Sequence, residues 1–301
     1  MSTCARPHVL VTGASSGIGR ATTLRLAAGG YHVFAGVRKA ADGTALVDAA
    51  AGEVTPVILD VTDAEQIASA VTLVAAHVGD AGLAGLVNNA GIGVFGPLEL
   101  IPVEQFRRQL EVNVTGQLAM TQAALPLLRR ARGRIVMIGS IGARFTPPFV
   151  GPLAASKSAV ATMSAALRQE LAPWDVRVTV VEPGSIRSEA VDKLEKDARA
   201  VLERTSAGGR ALYEDAFLHL VGFFARLHEK GSSPDVVART VERALRASRP
   251  RPAYLSGRNA RRMAVIARLV PVAAQDALRR RLAGQPAPGS RTVVSAGRSG
   301  V

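Results

Sequence analysis

The residues of this chain best suited to chemistry form the glycine-rich loop Thr12-Gly13-Ala14-Ser15-Ser16-Gly17-Ile18-Gly19. The loop follows a short apolar run, His8–Thr12, and opens a stretch with helical spacing, Gly17–Ala28. Glycines at 13, 17 and 19 permit a tight turn and let the backbone approach a pyrophosphate closely. The helix that follows presents free N–H groups and a partial positive charge to such an anion. Ser15, Ser16 and Ile18 lie in the same turn. The plain alternative is a glycine turn with no ligand. Metal chemistry is not expected: His8, His32, His77, His219 and His228 are scattered, with no ligand spacing and no carboxylate in register. The single cysteine, Cys4, excludes an intramolecular disulfide and fits a reducing compartment.

The elements that must position this loop alternate along the chain. After the first strand and helix come strands at Tyr31–Gly36 and Val54–Leu59, a helix at Ala64–His77 and a strand at Leu83–Val87. A long helical stretch follows from about Val103 to Arg130, then a strand at Arg134–Ile138, a helix at Pro152–Leu171 and a strand at Val176–Val181. Residues 185–230 read as a helical flap interrupted at Gly208-Gly209. A helix at Pro234–Ala247 and a last strand at Ala253–Ser256 complete the pattern. The alternation predicts an α/β fold of the Rossmann type. It is a doubly wound parallel sheet of about seven strands, with helices on both faces and a small helical substrate flap. The strands are apolar throughout, as a sheet covered on both faces requires. Residues 1–283 are expected to form one dinucleotide-binding domain, and residues 284–301 a disordered tail rich in Gly, Pro, Ser and Arg.

Charge divides the chain unevenly. Of 301 residues with net charge +13, residues 239–301 hold 14 Arg, no Lys and only Glu242 and Asp276 as acids. That stretch carries +12 and residues 1–238 carry +1. A uniformly basic nucleic-acid-binding domain is therefore not expected, although a basic tail stays open, and Tyr254 is the only aromatic after residue 238 on which a base could stack. Arg258–Leu282 is amphipathic. It is read as a solvated surface, with contact to an anionic membrane surface as the less favoured reading. No signal peptide is visible, and no run reaches the ~18 apolar residues of a membrane span. A cytoplasmic location is expected.

The spacing Gly-x-x-x-Gly-x-Gly resembles that of the classical short-chain dehydrogenase/reductase family, and four further motifs extend the likeness in order. These are Asp60 with Val61, Asn88-Asn89-Ala90-Gly91, Asn113 in Glu111-Val112-Asn113-Val114, and Pro183-Gly184 with Ile186 beyond. The resemblance covers roughly residues 5–257. Val94-Phe95-Gly96-Pro97-Leu98 adds a softer similarity to the branch of retinol and 17β-hydroxysteroid dehydrogenases. The resemblance implies that Gly13, Ser15, Ser16, Gly17, Ile18, Gly19, Asp60, Val61, Asn89, Ala90, Gly91, Pro183, Gly184 and Ile186 bind a nicotinamide dinucleotide. Gly36 stands where members preferring NAD carry an acid, and Arg38 where many preferring NADP carry a base. An arginine fork matches a phosphate, so NADP(H) is expected over NAD(H).

The family's reaction transfers hydride between the nicotinamide and a carbonyl or alcohol carbon. By resemblance, Ser140 anchors the substrate oxygen, Lys157 clamps the ribose, and Asn113 supports a water linked to the lysine. The family's proton-donating tyrosine lies four residues before the lysine and thirteen after the serine, and Leu153 occupies that position. A leucine has no exchangeable proton. Three readings stay open. Ordinary activity is lost and the chain is a cofactor-binding scaffold; or Ser156, Tyr213 or Lys157 supplies the proton; or the pocket performs chemistry without a phenol, such as isomerisation or cyclisation. An oxidoreductase is the preferred class. Phe95, Phe145, Phe149, Phe217, Phe223 and Phe224 suggest an apolar small-molecule substrate, or simply pack the flap onto the sheet. The resemblance further implies a homodimer or homotetramer.

Overall fold

Successive side chains of a strand point to opposite faces of its sheet, and here both faces are covered. Val9 and Val11 join one apolar cluster and Leu10 the other, and all three are fully buried. In the computed structural model, which describes residues 6–187 and 190–290, seven strands form one sheet. They are β1 (His8–Val11), β2 (His32–Val37), β3 (Val54–Ile58), β4 (Gly85–Asn88), β5 (Arg134–Ile138), β6 (Arg177–Pro183) and β7 (Ala253–Ser256). All neighbours are parallel, in the order β3-β2-β1-β4-β5-β6-β7. The chain reverses its direction of winding between β1 and β4, and a crevice opens there beyond the strands' C-terminal ends.

Three helices cover one face: α1 (Gly17–Ala28), α2 (Ala40–Ala49) and α9 (Pro234–Arg246). Leu26, Leu46, Val237, Val241 and Leu245 pack there against Val33, Val87 and Val136. Glu242 ties α9 to α1 by accepting from Arg25 Nε at 2.6 Å. The sequence reading passed over α2. Its Gly43 explains the close fit on the sheet, because an added Cβ would lie 2.6 Å from Pro56 in β3. The opposite face carries α3 (Ala64–Val78), α4 (Val103–Leu110), α5 (Gly116–Ala131) and α6 (Gly151–Glu170). Met120, Leu128, Val160 and Leu167 pack there against Leu10, Phe34, Leu86 and Met137.

Two expected elements differ in detail. The helical stretch from 103 to 130 is interrupted by a π-helical turn at Glu111–Thr115, which carries Asn113 inward. Gly116, just after it, lies so close to Val61 that an added Cβ would meet the Val61 carbonyl oxygen at 2.7 Å. The flap consists of α7 (Ala190–Glu203) and α8 (Ala207–Glu229). Its break falls at 204–206 rather than at Gly208-Gly209, because Ser206 caps α8 by accepting from the Gly209 N–H at 3.2 Å. The two glycines therefore lie in the first turn of the helix.

Beyond β7 the amphipathic stretch folds as α10 (Ala260–Leu269) and α11 (Val272–Leu282), divided at Pro271. Gly284–Ser290 continue in turns, with Gln285 N–H donating to Arg280 O at 2.9 Å. Residues 291–301, the rest of the tail expected to be disordered, and Cys4 lie outside the described residues. Among the described residues no helix is long and apolar enough to cross a membrane, and no three or more His, Cys, Asp or Glu side chains are placed to hold a metal ion together.

Three of the five histidines are not scattered. His8, His32 and His77 gather around Phe34, with His32 stacked on Phe34 at 4.7 Å and His77 edge-on to it at 5.5 Å. Burial pushes the His8 and His32 imidazoles below their ordinary range; the Glu53 carboxylate opposes the shift and neighbouring His77 adds to it. The sign follows: the unfolded chain binds protons more readily, so the stability these groups contribute is lost as pH falls below about 6.5. The melting temperature should therefore fall between about pH 7.5 and pH 5.5, and His32→Asn should flatten the slope. A melting temperature constant across that interval in calorimetry would contradict the account.

Candidate active site

The loop after β1 and the loop after β4 meet backbone to backbone. An added Cβ at Gly13 would stand 2.8 Å from the Ala90 Cα, and one at Gly19 would stand 2.1 Å from the Gly13 carbonyl oxygen. Asn89 Nδ2 donates to the Thr12 and Gly13 carbonyls, each at 3.0 Å. Thr12 Oγ1 accepts from the N–H groups of Asn89 and Ala90, also at 3.0 Å. Gly17 differs from the other two. Like Gly13 it takes a left-handed φ, here 51°, but an added Cβ would meet nothing within 4 Å. The Ser16 side chain does not cap α1, and no acid occupies its first turn. The helix therefore presents N–H groups to open space, which fits the phosphates of a dinucleotide.

That space is a cavity of about 470 Å³ running across the crevice. Gly13, Ser15, Ser16, Gly17 and Ile18 form one wall, and Asn89, Ala90 and Gly91 face them. Arg38, Asp60 and Val61 line one end. Burial opposes ionisation of Asp60, but hydrogen bonds from the Thr62 N–H and hydroxyl, with Arg108 and Arg38 nearby, hold its carboxyl below the usual range. Ser140, Leu153, Lys157, Pro183 and Gly184 line the cavity as well. Gly19 and Ile186, expected at the cofactor, are absent from its walls. At Gly19 an added Cβ would meet the Gly13 carbonyl and the Asn89 side chain, and the Ile186 side chain is buried in the sheet core.

Lys157 is almost wholly buried, and its Nζ donates to the Ile138 carbonyl at the end of β5 at 2.7 Å. Burial pushes its ammonium down to about 8. Ser140 Oγ accepts from the Gly142 N–H at 3.0 Å, which leaves its own hydroxyl hydrogen to donate. Asn113 lies one layer behind the cavity. Its Oδ1 accepts from Ile92 N at 2.8 Å, and its Nδ2 donates to Ile92 O at 2.9 Å and to Ser156 Oγ at 3.0 Å. Ser156 is fully buried and spends its own hydrogen on the Leu153 carbonyl at 2.8 Å. Tyr213, on the flap helix α8, donates to Glu99 in the loop before α4 and is not in the cavity wall. Of the three alternative proton donors, Lys157 alone lines the cavity.

Leu153 packs against the flap cluster of Phe149, Val150, Phe217 and Leu220. Phe145, Phe149 and Phe217 are buried, so these aromatics mainly close the flap and its neighbouring loop, whereas Phe95 faces the cavity. A second cavity of about 450 Å³ adjoins the first beneath α7, and both share Gly93, Phe95 and Arg108. Sequence reasoning passed over Arg108 and His228. His228 enters the cavity wall from the end of α8, its Nδ1 donating to the Phe224 carbonyl at 2.8 Å. Neither residue belongs to a motif, and only the fold brings them to the site.

The comparisons agree with this geometry. A family profile described as short chain dehydrogenase matches residues 7–199. Human retinol dehydrogenase 5 is 35% identical over 276 residues, covering 90% of this chain and 86% of its own. Rat estradiol 17-beta-dehydrogenase 2 is 37% identical over 262 residues, covering 83% of this chain and 68% of its own. A short chain dehydrogenase from Burkholderia cenocepacia J2315, solved in complex with NADP, superposes with a TM-score of 0.65 at 29% identity, covering 92% of this chain and 97% of that one. With its glycine cradle, its parallel sheet and the Ser140–Lys157 pair on one cavity, this chain belongs to the short-chain dehydrogenase/reductase family of oxidoreductases and resembles its retinol and 17β-hydroxysteroid dehydrogenase branch.

Proposed function

We propose that the protein interconverts the carbonyl and alcohol of an apolar, retinoid- or steroid-like substrate with NADP(H), and that Lys157 carries the proton. The observation behind this reading is that Ser140, Leu153 and Lys157 line the same cavity as the glycine cradle and Arg38. Bound there, the nicotinamide would supply or accept the hydride. At the end of β2, Gly36 leaves no carboxylate on that strand and Arg38 brings a guanidinium to the cavity, which suits a 2′-phosphate. The Burkholderia relative's complex with NADP agrees with that choice.

The roles of the chain's own residues follow from their bonds. Ser140 donates its free hydrogen to the substrate oxygen. In the reducing direction Lys157 gives one proton to that oxygen as the carbon is reduced, then recovers it from solvent. A lysine lowered to about 8 by burial is a competent acid near neutral pH, which an ordinary lysine is not. Leu153 supplies an apolar wall continuous with the flap, which suits a hydrocarbon substrate. Asn113 and Ser156 position Lys157 through the first turns of α6 and touch no reactant. The fold's habit of pairing through helices α5 and α6 adds a homodimer or homotetramer to the proposal.

Arg38→Ala removes a charge-assisted contact worth about 1.5–3 kcal/mol, so NADPH affinity should fall roughly tenfold to a hundredfold while NADH affinity holds. Equal losses for both, read by quenching of protein fluorescence, would remove Arg38 from the phosphate site. With saturating NADPH and a panel of apolar ketones, Lys157→Met should lower kcat by roughly a hundredfold or more. In the same assay Leu153→Tyr should raise kcat. Unchanged kcat in Lys157→Met would show that another group carries the proton.

A further inference from the structure

The charge concentrated in the C-terminal fifth of the chain has a definite address in the fold. Residues 258–290 hold seven arginines against one acid, Asp276, which pairs with Arg279 at 3.2 Å. The inner side of the α10–α11 hairpin is anchored. Gln275 is buried and donates to the Val270 carbonyl at 2.7 Å across the turn. Arg279 lies 4.6 Å over the Phe145 ring, and Ala283 is fully buried in the flap cluster. The outer side is bare. Val265 is 55% exposed, Leu269 72% and Val272 69%, the last two being the most exposed large apolar side chains among the described residues. On α10, residues 261, 265, 268 and 269 share one face by helical spacing, so Arg261 and Arg268 border the Val265–Leu269 stripe. Arg262 is exposed beside them.

We infer that this face docks the protein on an anionic lipid bilayer. Aliphatic side chains enter hydrocarbon, and arginines on long stems reach phosphate at headgroup level, so a bilayer satisfies both layers of this surface at once. A nucleic acid offers the phosphates but no hydrocarbon, and a second copy would bring like charges together. The hairpin leans on the flap through Ala283 and on the loop after β5 through Arg279. The inference rests on the surface and stands apart from the proposed reaction.

The test is co-sedimentation of the full-length chain with phosphatidylcholine vesicles, with and without about one quarter phosphatidylserine. The wild type should pellet with the anionic vesicles and be released as salt rises. Val265→Asp with Leu269→Asp, and separately Arg261→Glu with Arg262→Glu and Arg268→Glu, should each weaken binding roughly tenfold or more. Both variants change exposed side chains, and an unchanged melting temperature would show that they fold. The inference is overturned if the wild type ignores anionic vesicles, or if both folded variants bind as it does. It is equally overturned if light scattering finds a dimer that both variants break and that does not bind vesicles, since a second copy would then cover the face.

Discussion

Everything at the site depends on two loops pressed together so closely that two of their glycines can carry no Cβ. At Gly13 and Gly19 the chain allows no Cβ, because the Ala90 Cα and the Gly13 carbonyl already fill the space. Asn89 closes the contact by giving both its amide hydrogens to carbonyls of the first loop. This junction fixes where α1 starts relative to β4, and hence where the uncapped N–H groups of α1 face the crevice. A sheet with buried residues on both faces makes the junction rigid, since neither strand can shift without opening the core.

The second constraint is the burial of Lys157. An ammonium removed from water needs a partner, and the Ile138 carbonyl at the end of β5 supplies it. The lysine is kept in place by a polar layer behind it, in which Asn113, Gln109 and Ser156 exchange hydrogen bonds with the backbone of Ile92, Val94 and Leu153. The π turn at Glu111–Thr115 is what turns Asn113 into that layer. Every hydrogen that Ser156 and Asn113 could offer is already spent. Of Ser156, Tyr213 and Lys157, only Lys157 lines the cavity beside Leu153.

The strands, the glycine loop and the family motifs were legible because they are local patterns, each set by a few adjacent residues. The π turn was not, since one extra residue within a helix hardly alters its apolar period. Gly208-Gly209 misled as a helix break because Ser206 supplies a cap that holds both glycines inside α8. Gly19 and Ile186 carry the motif's spacing, but spacing does not show that Gly19 leaves no room for a Cβ or that the Ile186 side chain packs into the core. Arg108 and His228 were invisible because they come from helices remote in sequence and reach the cavity only through the fold. The gathering of His8, His32 and His77 around Phe34 was hidden for the same reason.

The account turns on Lys157 as the carrier of the proton, and the pH dependence of kcat for NADPH-linked ketone reduction tests it most directly. The donor must be protonated, so kcat should be level below about pH 8 and fall about tenfold per pH unit above it. A kcat that stays level from about pH 7 to pH 9.5, or rises across that interval, would contradict the assignment.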